Sequence, residues 1–128
     1  MAVTLDPGIG SNVPQAQRVT NTGIPANYAG NANTLGKCNT FLGYKAGNAN
    51  TEGHFNVFLG DSAGFNASTA SNNQFVGFSS GFSNSGGEYN TFLGMRSGYH
   101  VTTGNRNIMI GYLSGYQATS GSNNLFIG

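Results

Sequence analysis

Large apolar residues fall in adjacent pairs along this chain, and the pairs return at a constant interval. Phe41-Leu42, Phe58-Leu59, Phe75-Val76, Phe92-Leu93, Met109-Ile110 and Phe126-Ile127 each begin 17 residues after the last. Polar positions frame them. An asparagine stands two residues before each pair (Asn39, Asn56, Asn73, Asn90, Asn107, Asn124), and a glycine follows it (Gly43, Gly60, Gly77, Gly94, Gly111, Gly128). The motif reads N-x-[FM]-[LVI]-G-x-x-[AS]-G with an eight-residue return, and no insertion interrupts the series. Numbering repeat positions 1 to 17 from the asparagine, glycine also holds position 9 in Gly47, Gly64, Gly81, Gly98 and Gly115. A fixed short period predicts a solenoid with one coil per repeat.

The pattern predicts a short strand over 39–42 and its equivalents. A second strand is expected in the return, which opens on Phe65, Phe82, Tyr99 or Tyr116 and carries Thr51, Ser68, Ser85, Thr102 or Thr119 three residues later. Two strands and two turns per repeat describe an all-β, flattened parallel β-roll. With coils stacked at about 4.8 Å, six to seven of them make a rod roughly 30 Å long. Positions 3 and 4 are neighbours on a strand and point to opposite faces. The position-3 column (Phe41, Phe58, Phe75, Phe92, Met109, Phe126) can fill the coil's interior, and the position-4 column then lies outside. Strands apolar on both faces are buried on both faces, so the outer column calls for another copy of the chain alongside. The asparagine column is expected to hydrogen-bond up and down the stack and to hold its register.

Three regions follow. Residues 1–21 carry no repeat register and read as an irregular arm suited to docking. Residues 22–38 match the repeat only partly, with Pro25 where Leu42 stands one period later. A proline cannot donate to a ladder, which suits a terminal coil, so 22–38 reads as a degenerate cap. Residues 39–128 form the β-roll, expected to continue or be covered beyond Gly128.

Composition narrows the chemistry. Gly is 21 of 128 residues and charged residues are 7%, but 15 Phe and Tyr recur at fixed positions, which marks ordered repeat rather than disorder. The five cations (Arg18, Lys37, Lys45, Arg96, Arg106) form no basic stripe, so no nucleic-acid partner is expected. No run approaches the roughly 18 apolar residues of a membrane span. Met1 to Gly8 lacks a basic stretch followed by an apolar core, so general export is not expected. Cys38 is the sole cysteine and forms no bridge within the chain. Asp6, Glu52, Asp61 and Glu88 share no column, which gives no paired-carboxylate catalysis. His54 and His100 stand at different positions of separate coils, which gives no metal cluster. The β-roll calcium motif needs an Asp in each repeat, the hexapeptide acyltransferase coil needs three six-residue sides, and an ice-binding face needs a regular Thr array. None of these is present. The expectation is a protein without catalytic, cofactor or metal residues.

Over Thr22 to Gly128 the motif resembles the head repeats of trimeric autotransporter adhesins of the YadA type and repeats of bacteriophage tail-fibre proteins. The resemblance implies a left-handed roll and a homotrimer around a shared axis. The 17-residue coil and the absence of a signal, stalk and anchor depart from the adhesin pattern and favour a phage fibre. The expected function is therefore structural and attaching. The arm would grip a virion or baseplate protein, and the rod would reach toward the host surface. Tyr44, Tyr99, Tyr112 and Tyr116 are the candidate contacts to a surface glycan or protein. The alternatives are a bacterial surface adhesin head and a subunit of an extracellular filament.

Overall fold

The computed structural model describes residues 16–18 and 29–128. Its seven strands are β1 (Ala16–Arg18), β2 (Asn39–Leu42), β3 (Val57–Leu59), β4 (Gln74–Val76), β5 (Thr91–Leu93), β6 (Ile108–Ile110) and β7 (Leu125–Ile127). They form one sheet in sequential order, every neighbour parallel. From β2 to β7 the pairing register is the sequence period itself: Phe41 lies against Phe58, Phe58 against Phe75, Phe75 against Phe92. The chain is a parallel β-solenoid, with five full coils over 39–123 and β7 opening a sixth.

The interior is a column of rings. Phe41, Phe58, Phe75, Phe92 and Met109 are fully buried. The phenylalanines stack nearly parallel, with centroids 5.1, 4.9 and 4.8 Å apart. That spacing is the distance between strands of a sheet, so hydrogen bonding and ring stacking are satisfied by one rise. Fully burying each such side chain contributes about 1.5–3 kcal/mol. The ring lies on the glycine at position 9. A Cβ on Gly81 would fall 2.5 Å from Phe75, and one on Gly98 2.5 Å from Phe92, while both glycines have φ of 60°. Glycine is thus required twice over, for the left-handed backbone and for the ring's approach.

The return holds no second strand, contrary to the sequence expectation. Residues 61–66 run as consecutive turns, closed by Ala63 N–H to the Gly60 carbonyl (3.2 Å) and Ala67 N–H to the Gly64 carbonyl (3.0 Å). The cause is backbone handedness. Ser62 and Gly64, which lead into the return, both have φ of 58°, and Asn72 at its end has φ of 60°, so the chain enters and leaves the return through left-handed bends. The aromatic and hydroxyl columns that suggested a strand have other roles. Phe65, Phe82, Tyr99 and Tyr116 stack coil on coil at 4.9, 4.9 and 5.4 Å. The hydroxyls of Thr51, Ser68, Ser85 and Thr102 donate to the position-13 carbonyl of the next coil.

The N-terminal strand also departs from the period. A step of 17 residues back from Asn39 reaches Thr22, but the strand laid on Asn39–Phe41 is Ala16–Arg18, from the arm read as irregular. Residues 29–38 do keep the repeat register: Gly30 has φ of 58° and its N–H donates to the Ala46 carbonyl, as Gly47 donates to Ala63. The remainder of the arm and of the cap, Pro25 included, lies outside the described residues. Gly81→Ala should destabilise the solenoid by about 3 kcal/mol, combining the left-handed penalty with overpacking against Phe75. Urea unfolding followed by circular dichroism measures it.

Candidate functional site

Each asparagine of the repeat binds its own coil and the next. The Nδ2 of Asn56 donates to the Ala70 carbonyl of its own coil (2.7 Å), closing the loop, and its Oδ1 accepts the backbone N–H of Asn73 (3.0 Å). The pattern repeats from Asn39 to Asn107 with distances of 2.7–3.0 Å. Asn39, Asn56, Asn73, Asn90 and Asn107 are buried, and Asn124 is half-buried. A short amide at this position removes a buried N–H and a buried carbonyl from the unpaired state. The sequence expectation of a register ladder holds, but the bonds run to backbone more than between amides.

Two further ladders were missed. At position 16 a side-chain acceptor takes the backbone N–H of the preceding coil: His54 Nδ1 from Lys37 (3.0 Å), Ser71 Oγ from His54 (3.0 Å), Asn105 Oδ1 from Glu88 (2.7 Å) and Ser122 Oγ from Asn105 (2.9 Å). Three residue types share one task there, which hides it from a motif search. At position 8, the Ser80, Ser97 and Ser114 hydroxyls donate to the carbonyls of Phe92, Met109 and Phe126. Position 12 behaves differently. Asn84 is fully buried and neither amide atom has a partner, while Ala67 and Val101 fill the same position in neighbouring coils.

The aromatic candidates divide into two groups. Tyr99 and Tyr116 are half-buried in the return stack, with His100 edge-on to both at 4.8 Å; Tyr99 is stacked between Phe82 and Tyr116, and Tyr116 is stacked on Tyr99. Tyr44 and Tyr112 stand exposed at position 6, where the coil turns away from the strand. Lys45 lies 5.1 Å from the Tyr44 ring centroid. The structure therefore brings together Tyr99 with Tyr116, and it sets Tyr44 and Tyr112 apart on another column. Phe126 is 38% exposed and lines an open recess with Tyr116 and Ile127.

The largest continuous feature outside is the strand face. Strand residues at positions 2 and 4 point away from the core: Leu42, Ile108, Ile110, Leu125 and Ile127 are exposed, and Val57, Leu59, Val76 and Leu93 half-buried. No charged residue interrupts these two columns from β2 to β7. Its two borders are position 17, where the backbone φ is 56–61° (Cys38 57°, Phe55 58°, Asn72 60°, Tyr89 58°, Arg106 56°, Asn123 61°), and position 6. Among the described residues no three His, Cys, Asp or Glu are grouped to hold a metal, and no helix is long and apolar enough to cross a membrane.

These features define the class: a parallel β-solenoid with polar ladders inside and an apolar strand face outside. Compared with protein-family models, curated proteins and solved structures, the chain gives no match.

Asn90→Ala should cost about 3 kcal/mol, because the Gly104 carbonyl and the Asn107 N–H lose their buried partner. Asn84→Val should instead raise stability by about 1 kcal/mol, since it removes an unpaired amide and Val101 already fits that position. Urea unfolding of the two variants separates the roles.

Proposed function

We propose that this solenoid is a structural and attachment segment of a homotrimeric phage fibre, with three left-handed rolls around one axis. The observation that carries the reading is the uncharged strand face, whose position-4 column is apolar in all six layers (Leu42, Leu59, Val76, Leu93, Ile110, Ile127), while position 2 is apolar in three and polar in three (Thr40, Gln74, Thr91). Monomeric proteins seldom leave contiguous apolar patches of this kind in water, and copies of the same chain supply a cover of matching length. A rod whose interior is filled with rings and amides acts through its surface, so its work is to hold and to reach rather than to catalyse. In this reading residues 1–21 grip a virion or baseplate protein and the surface that the neighbouring copies leave uncovered meets the host. Tyr44 and Tyr112 border the strand face and so fall at the contact between copies, which leaves Tyr99 and Tyr116, half-buried in the return stack, as the aromatic candidates for contact with a surface glycan or protein.

Light scattering on a sizing column should give three times the 13.3 kDa chain mass. Leu93→Glu, on the outward face, should keep the β-sheet circular dichroism and reduce that mass to one chain. Antibodies against the chain should label purified virions. A folded wild-type monomer would remove the trimer, and unlabelled virions would remove the fibre assignment.

A further inference from the structure

We infer that the strand face meets copies of this same chain in parallel and in matched layers, with position 6 of one copy against position 17 of the next. This rests on the side-by-side assembly proposed above and adds its geometry. Take the strands β2 to β6 as layers 1 to 5. In layers 1, 3 and 5 the border at position 6 carries an exposed ring: Tyr44, Phe78 and Tyr112. In layers 2 and 4 the exposed ring stands at the other border, as Phe55 and Tyr89. The opposite border is non-aromatic in every layer. It is Cys38, Asn72 and Arg106 in the odd layers, and Asp61 and Met95 in the even ones.

Rotation about an axis parallel to the rod brings position 6 of one copy to position 17 of its neighbour. In matched layers each level of the seam then holds one ring and one non-aromatic side chain. A slip of one layer sets ring on ring (Tyr44 on Phe55) and leaves Asp61 on Asn72, so overpacking alternates with voids. Both are unfavourable in a packed contact. The alternation therefore encodes register as well as contact.

The dimensions agree. Six layers at about 4.8 Å and seven residues at about 3.3 Å give a face of roughly 600 Å², close to the about 800 Å² per partner of a standard interface. Three such faces closed into a triangle with sides of about 20 Å leave each strand roughly 6 Å from the centre. The leucine, isoleucine and valine side chains of position 4, with Thr40, Val57, Gln74, Thr91, Ile108 and Leu125 at position 2, fill that distance.

Disulfide trapping tests the seam. In a Cys38→Ala background, Asn72→Cys and Phe78→Cys place thiols in one layer on opposite borders. Within one chain these positions are six residues apart on opposite borders of the face, up to about 20 Å of chain, against the roughly 7 Å a disulfide tolerates. Position 17 already holds a cysteine at φ 57°, near the 60° of Asn72, so the substitution suits the backbone. Mild oxidation should give a band at three times 13.3 kDa on a denaturing gel, lost on reduction. Tyr89→Cys with Met95→Cys, in layer 4, should give the same band. Asn72→Cys with Tyr112→Cys, two layers apart, and Phe78→Cys alone should remain single chains. If both matched pairs stay single, or the mismatched pair links equally well, while light scattering still reports an assembly, the seam is wrong. A monomeric mass for the Cys38→Ala protein before oxidation would overturn the side-by-side reading itself.

Discussion

One amide sets the dimensions of this molecule. The position-1 asparagine must reach a carbonyl 14 residues ahead in its own coil while its oxygen accepts an N–H 17 residues ahead in the next. Both partners are buried backbone groups, which are expensive to leave unpaired. Adding one residue to a return would misplace the carbonyl, and losing one would misplace the N–H. The invariance of the period follows from that pair of distances. The ring column shares the constraint, because phenylalanines stack at the spacing that the backbone bonds impose. A side chain with one carbonyl and one amino group at the end of a single methylene meets both demands, and glutamine or aspartate would not.

Much of the architecture was legible for this reason. Periodicity, parallel pairing, the buried position-3 column and the outward position-4 column follow from the spacing of Phe41, Phe58 and their equivalents. The return segment was misread because its residue types favour strands while its backbone does not. Aromatic and hydroxyl columns such as Phe82 and Ser85 suit a sheet by composition, yet left-handed φ at Ser79 and Gly81 before them and at Tyr89 after them bends the chain at both ends of the segment. Only the glycines announce this in sequence. At positions 7 and 17, bulky residues such as Leu113, Phe55 and Tyr89 hold φ of 56–58°, and nothing in their identity signals it. The position-16 ladder was hidden similarly, since His54, Ser71 and Asn105 share an acceptor but no residue type. β1 could not be placed from the period, because it sits 23 residues before β2 in the paired register rather than 17.

The surface is read less directly than the interior. Inside the coil, geometry and chemistry repeat together, so each column has one role. Outside, position 6 passes from Tyr44 through Asp61, Phe78 and Met95 to Tyr112, and position 17 varies as widely. Such variation looks like freedom from constraint when columns are read singly. Read as two borders of one face, it acquires a two-layer rhythm. Left-handed backbone at bulky residues carries a penalty of about 1–2 kcal/mol each, and it sets those side chains at the corners where a neighbour can meet them.

The direction of the hydrogen bonds has a mechanical consequence. Every bond between coils, from Thr40 to Asn56 through Ile108 to Asn124, runs along the rod rather than across it. Tension applied to the two ends is therefore carried in series by every layer, and the layer with the weakest hold, a terminal coil with a neighbour on one side only, opens first. Each released coil lengthens from about 5 Å to about 60 Å of extended chain. A single solenoid pulled lengthwise would thus behave as a series of weak links with large hidden length, stiff against compression and bending but yielding stepwise to traction.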